Sequence, residues 1–191
     1  MFPNLSADIK RYIKEPKDNI YLIFEQGVWA IVVYRFGRWT RTVKIPLVSL
    51  VFKIISFLLF KSIEIITGIS LPVSAEIGKG LYIGHFGCII LHSNVKMGEN
   101  CSIVTGVTIG TRGLGNTGVP VIGDNVYMGV VATILGGIKI GNNSNIGAGI
   151  IIAKDIGDNK FVYGKTELII KENEAKLDSK KRDMMKKGLA G

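Results

Sequence analysis

A period of six runs through the middle of the chain. Stepping by six from Leu71 gives Leu71, Ile77, Ile83, Ile89, Val95, Cys101 and Val107, and a second run, offset by three, gives Ile122, Met128, Ile134, Ile140, Ile146 and Ile152. All thirteen are apolar. An amphipathic helix repeats its apolar residues at three and four and a half-buried strand at two, and neither spacing persists here. Six residues make one short strand and one turn. Three such units close a triangular coil whose interior takes the apolar residue of each step. Many of these residues precede a small one, as in Ile77-Gly78, Ile83-Gly84, Met128-Gly129, Ile140-Gly141, Ile146-Gly147 and Ile152-Ala153, which permits a tight corner. The expectation is a mainly β chain: a parallel β-helix over residues 70–170, a helical region over 1–69 and a short helix or tail over 171–191. Helices at either end, the last at 172–187, would cover the open coils.

The N-terminal third is read as helical, with Ser6 as an N-cap before Ala7, an apolar helix near Val28–Arg41 and another over 47–67. The apolar stretch Ile45–Phe60 contains Pro46 and Lys53 and is followed by Lys61 and Glu64. It is expected to fall short of the roughly 20 apolar residues of a spanning helix, and so to lie on a membrane or pack on the repeat domain. The net charge of +9 is uneven: residues 1–61 hold 10 Lys and Arg against 4 Asp and Glu, residues 62–170 hold 7 against 7, and residues 171–191 hold 7 against 4. A basic, apolar N-terminal third without groove-reading motifs suits an anionic membrane surface better than nucleic acid; a solvated basic face is the plainer reading. The first residues lack the positive and apolar regions of a signal peptide. The expectation is a cytoplasmic protein in contact with the inner face of the cell membrane.

Fifteen residues separate Val107 from Ile122, so the two runs do not join in phase and something protrudes between them. The extruded stretch 110–119 is rich in Gly, and is read either as a binding loop on a rigid scaffold or as a tolerated insertion. Cys88 and Cys101 lie inside the repeats, where adjacent strands leave little room for a disulfide, and are read as reduced thiols.

The hexapeptide runs, the His in Ile83-Gly84-His85-Phe86-Gly87, the stretch Val107-Thr108-Ile109-Gly110, the extruded loop and Val121-Ile122-Gly123-Asp124-Asn125-Val126 together resemble the serine acetyltransferase branch of the left-handed β-helix acyltransferases. The likeness is close over residues 71–157 and weaker upstream, through Glu15-Pro16 and Gly27-Val28-Trp29 to Tyr34-Arg35. It implies a left-handed coil, a homotrimer, acetyl-CoA as co-substrate in the groove between neighbouring prisms, no metal, and a His that takes the proton from an acceptor hydroxyl. By the same resemblance His85 is the catalytic base. Gly110, Thr111, Gly129, Val131, Gly147 and Ala148 line the cofactor, with Lys154 and Lys165 as candidates for its phosphates.

The departures from the family bear on the acceptor. An Asp that precedes the catalytic His in the family is Gly84 here, and the place of an orienting Asp falls at Ser70. An Arg-His-Pro stretch in the long loop is replaced by Gly118-Val119-Pro120. Loss of the Arg removes a bidentate partner for a carboxylate, and loss of the Asp removes a counter-charge for an amine. These changes suit a sugar hydroxyl, on a lipid-linked or nucleotide-linked saccharide of surface polysaccharide assembly; the alternative is serine O-acetylation in cysteine synthesis.

Imidazole is the side chain whose ordinary pKa lies near neutrality, so a base for acetyl transfer is sought first among histidines. The chain holds two. His85 is read as the base, or else as a hydrogen-bonded corner residue; His92, seven residues on, falls on another face unless trimer packing returns it. Arg112 and backbone N–H groups are candidates to hold the oxyanion. A non-enzymatic scaffold that keeps the β-helix is a third reading.

Overall fold

The computed structural model describes residues 2–13, 21–113 and 118–164. Three helices come first: α1 (Phe2–Lys10), α2 (Gln26–Thr40) and α3 (Pro46–Thr67). Fourteen short parallel strands follow, each two or three residues long, and stack into three sheets. Sheet A takes β1 (Ile69–Ser70), β4 (Ile89–Leu91), β7 (Thr108–Gly110), β10 (Thr133–Leu135) and β13 (Ile151–Ile152). Sheet B takes β2 (Glu76–Ile77), β5 (Lys96–Met97), β8 (Val121–Ile122) and β11 (Lys139–Ile140). Sheet C takes β3 (Tyr82–Gly84), β6 (Ser102–Val104), β9 (Tyr127–Met128), β12 (Asn145–Ile146) and β14 (Phe161–Val162). The chain visits B, C and A in turn and winds a left-handed β-helix.

All thirteen residues of the six-residue runs are buried, but the first run is not one row. Ile77 pairs with Met97 and Ile83 with Ile103, twenty residues on, whereas Leu91 pairs with Ile109, eighteen on. The first coil therefore carries two extra residues, at the corner that holds His85. Past it, Ile89, Val95, Cys101 and Val107 fall two places before the strand row of Leu91, Met97, Ile103 and Ile109, and both rows face inward. Unbroken apolar spacing thus conceals the insertion. The later loop is visible in register too: Met97 pairs with Ile122 and Ile109 with Ile134, twenty-five residues apart.

The small residues act differently from expectation. A Cβ on Gly78 would meet the Gly98 carbonyl oxygen at 2.5 Å, and one on Gly123 would meet the Asn142 backbone nitrogen at 2.9 Å. These glycines permit close coil stacking rather than a left-handed turn. The left-handed corner between sheets B and C lies two residues later, at Gly80, Asn100, Asn125, Asn143 and Asn159. Asn tolerates that conformation, and Asn125 donates to Asn143 and Asn143 to Asn159 down the edge.

The N-terminal helices close the open first coil with side chains. Asp8 and Arg35 form a fully buried bidentate pair, Nε–Oδ2 2.7 Å and Nη2–Oδ1 3.1 Å. Asp8 accepts the Leu81 N–H, while Arg35 donates to the carbonyls of Ile77 and Gly78. The Tyr34 hydroxyl donates to the Ala75 carbonyl and accepts from the Ile77 N–H, and the Tyr12 hydroxyl treats Ile83 in the same way. Backbone groups that have no preceding coil are satisfied in this manner.

Two expectations about the helices change. α1 begins at Phe2 and includes Ser6, so Ser6 is not its N-cap; Pro3 suits a first turn, where its missing N–H costs nothing. The apolar stretch is not short. Pro46 sits in the first turn of α3 rather than breaking it, and the helix runs on past Lys61 and Glu64 to a left-handed Gly68. The helix has 22 residues, and an 18-residue stretch of it reaches a mean hydropathy of 1.9 with 11% of that stretch buried, long and apolar enough to cross a membrane by length and composition. The expected helix over 172–187 lies outside the described residues.

Candidate active site

His85 stands on the corner between sheets C and A. Below it the corner stacks Cys88, Gly106, Val131 and Gly149, all with φ between 53° and 78°. His85 itself, at φ 62°, lies in the two-residue enlargement and projects from the edge. The Thr105 hydroxyl braces the enlargement by donating to the carbonyls of Phe86 and Gly87, at 3.0 and 2.9 Å. Gly68, which caps α3, packs on it from above: a Cβ there would lie 3.0 Å from the Cys88 nitrogen. The His85 ring is exposed and makes no hydrogen bond to the described residues.

Gly129, Val131, Gly147 and Ala148 follow along the same edge. Val131 and Ala148 are exposed. A Cβ on Gly129 would meet the Ala148 nitrogen and the Ile146 carbonyl at 3.0 Å, and one on Gly147 the Val162 carbonyl at 3.0 Å. Coil stacking alone thus favours both glycines, and the smooth edge they leave also admits an extended ligand.

The other expected residues gather elsewhere. His92 follows β4 at the corner between sheets A and B, with its Cβ 3.9 Å from the position of a Cβ on Gly110. Its Nδ1 accepts the Asn94 N–H at 3.1 Å, which leaves the proton of the neutral ring on Nε2. Gly110, Thr111 and exposed Arg112 open the loop at this corner, and Lys154 leaves β13 on the same side. The expected site is therefore divided between the two edges that flank sheet A. The returning loop lies on Gly137, whose Cβ position is 3.2 Å from the Gly118 Cα. Glu15 and Lys165 lie outside the described residues.

The changed family positions have local causes. The Tyr82 ring leans over Gly84, with Cε1 3.1 Å from the site of a Cβ, so a carboxylate side chain there requires the phenol to give way by a few tenths of an ångström. Ser70 is engaged by the Glu64 carboxyl, which Lys61 first and then Ser70 hold below the ordinary carboxylate range. Sequence reasoning missed Tyr82. Its signal was the outward-facing place in the strand that leads into His85, two residues before the Gly that replaces an Asp.

Beside Tyr82 a cavity of ≈ 520 Å³ opens between the N-terminal segments and sheet C, lined by Arg11, Tyr12, Tyr21, Leu22, Glu25, Tyr82, Ser102 and Tyr127. A second, of ≈ 470 Å³, lies between α2, α3 and the first coil, with Arg41, Lys53, Phe57 and Phe60 among its walls. Cys88 is an exposed free thiol; Cys101 is buried, and burial pushes its pKa up to about 11. Among the described residues no group of three or more His, Cys, Asp or Glu is placed to hold a metal ion.

No protein-family model matches the chain. Among characterised proteins it is similar to the serine acetyltransferase of Synechococcus elongatus, 27% identical over 93% of this chain and 72% of that one. It is also similar to that of Staphylococcus xylosus, 28% identical over 54% of this chain and 51% of its relative. Among solved structures, Neisseria gonorrhoeae serine acetyltransferase in complex with serine superposes with a TM-score of 0.69 at 28% identity, covering 85% of this chain and 64% of the other. The Brucella abortus enzyme in complex with coenzyme A gives 0.72 at 27%, covering 88% and 67%. The chain thus spans from half to about three-quarters of the relatives it matches. Sequence and fold agree on a hexapeptide-repeat β-helix of the serine acetyltransferase-like branch.

Proposed function

We propose that this chain is an acetyl-CoA-dependent O-acetyltransferase with His85 as its general base. The observation that carries the reading is the corner at His85: the first coil is enlarged there by two residues, and it projects an imidazole with no hydrogen bond to the described residues beside a smooth groove edge. Likeness to serine acetyltransferases, one of them solved with coenzyme A, supports the co-substrate. In the step, the imidazole takes the acceptor O–H proton and the oxygen attacks the thioester carbonyl. The tetrahedral oxyanion collapses with cleavage of C–S, and the imidazolium returns the proton to the leaving thiolate. No covalent enzyme intermediate is needed.

Because the expected residues divide between two edges, a complete cleft takes one edge from each of two copies, as a closed cyclic trimer provides. The outward row of sheet A, Ser70, Ile90, Thr108, Thr133 and Ile151, suits that contact, with Ile90 and Ile151 exposed at 53% and 74%. His92, Arg112 and Lys154 of the neighbour then face His85, with Arg112 near the oxyanion and Lys154 near the phosphates.

Two acceptors are open. The relatives are serine acetyltransferases, and that likeness backs L-serine, hence cysteine synthesis, better than a saccharide. The local residues favour a neutral sugar hydroxyl: Gly84, with the Tyr82 ring close over it, stands in place of the family's Asp, and Gly118-Val119-Pro120 supplies no guanidinium. Release of the coenzyme A thiol, followed with L-serine and with free pyranoses, separates them. Turnover of serine at millimolar concentration selects cysteine synthesis, turnover of a pyranose selects the saccharide, and unchanged turnover in His85→Ala removes the proposed base.

For location, the reading is a cytoplasmic protein that lays α3 on the inner face of the membrane. The helix is exposed and apolar, and Arg41 and Lys53 stand at the cavity beside it, which matches an anionic headgroup layer. Flotation with vesicles containing phosphatidylserine at low salt is the expected result. Failure to float would leave α3 to another copy of the chain.

A further inference from the structure

The cavity beside Tyr82 carries a reading of its own. It lies on the outer face of sheet C, where strand register puts Tyr82, Ser102 and Tyr127 in one column. Strands stack about 4.8 Å apart, so the two phenols stand about 10 Å apart with the serine between them. Tyr21, 61% exposed, and Tyr127, 44% exposed, present free ring surface. Tyr82 is fixed from behind, by Arg11 at 5.7 Å from its centroid and Tyr12 at 4.7 Å. Arg11 spends Nη1 on the carbonyls of Gly80 and Cys101 and Nη2 on the Ser102 hydroxyl, so it orients the serine to donate outward. The Glu25 carboxylate lines the wall and makes no hydrogen bond to the described residues.

Aromatic faces, hydroxyls and a carboxylate without a hydrogen bond to the described residues are the set that holds a neutral polyhydroxylated ring: C–H faces stack on phenols while the carboxylate and hydroxyls take the ring O–H groups. A volume of ≈ 520 Å³ falls within the roughly 300–1,000 Å³ of ligand pockets and is several times that of serine. Tyr82 also links the cavity to the base, since its ring reaches Gly84, the residue before His85.

We propose that this cavity binds a neutral pyranose ring of the acceptor, stacked against Tyr127 and Tyr21 and hydrogen-bonded by Glu25 and Ser102. The inference rests on the acetyltransferase reading and deepens it by placing the acceptor. The test is saturation-transfer NMR titration of the full chain with methyl glycosides of glucose, galactose, mannose and N-acetylglucosamine, and with L-serine. The expected result is saturable binding of at least one glycoside, weakened about tenfold in Tyr127→Ala by loss of one aromatic face and retained in Tyr127→Phe. Absence of glycoside binding, or equal binding by Tyr127→Ala of unchanged melting temperature, overturns the proposal. So does saturable binding of L-serine that Glu25→Gln abolishes. Thermal stabilisation by coenzyme A is measured alongside. Glycoside binding without it upholds the cavity and removes the acetyltransferase, and stabilisation without glycoside binding does the reverse.

Discussion

At His85 backbone strain and proposed chemistry coincide. A non-glycine residue at φ 62° costs roughly 1–2 kcal/mol, and here no hydrogen bond from the ring repays it. His85→Gly should therefore keep or raise the melting temperature while lowering acetyl transfer about 10²- to 10⁴-fold, the usual contribution of a general base. A corner residue without catalytic duty would show the first effect alone. Gly84→Asp restores the family's residue but crowds it against the Tyr82 ring. It should cost about 1–3 kcal/mol by overpacking in urea denaturation, without creating serine turnover. The two thiols give a simpler check: exposed Cys88 should react with a maleimide at neutral pH, and Cys101, whose thiol is pushed up to about 11, should not. His85 was singled out in the sequence because it follows an apolar-Gly step, Ile83-Gly84, at which the resembled family keeps its base. The strain was not, because the extra residues are hidden where both inward rows are apolar.

At the scale of elements, the sequence showed which residues point inward but not how the coil begins. Its rhythm says nothing about the edge of β2 and β3 that lacks a neighbour. That edge is closed by Asp8, Tyr12, Tyr34 and Arg35, side chains some forty to seventy residues upstream, and no local pattern announces so distant a pairing. Asp8→Ala leaves the Arg35 guanidinium buried and uncompensated, a loss of about 3–5 kcal/mol that a shifted urea midpoint would register. Lys79→Ala breaks the exposed pair with Glu99 at 3.3 Å and should change stability by less than about 1 kcal/mol. The three faces also differ in ways that a count of apolar positions misses. Past Ser70, sheet A shows β-branched residues outward, sheet B carries Glu76 and Lys96 in contact at 3.6 Å, and sheet C repeats aromatic and polar residues from Tyr82 through Ser102, Tyr127 and Asn145 to Phe161. That division suits the proposed contact with another copy on sheet A and the proposed ligand on sheet C.

For the molecule as a whole, the decisive feature is that His85 and Arg112 stand on opposite edges of sheet A. Neither cavity described above is lined by either residue, while a ring of prisms juxtaposes unlike edges at every junction. Two inactive variants should therefore repair one another. In His85→Ala the loop edge is intact, and in Arg112→Ala the imidazole edge is intact. Co-expressed in equal amounts and assorted at random, they form clefts in which His85 is present in about half and Arg112, from the next subunit, independently in about half, so about one quarter of clefts are whole. Coenzyme A thiol release should recover to about that fraction of wild type, while each variant alone stays low. If both residues served a cleft within one chain, every cleft in the mixture would lack one of them and nothing would be recovered. Mixing the separately purified, already assembled proteins supplies the control, since clefts reform only if subunits exchange.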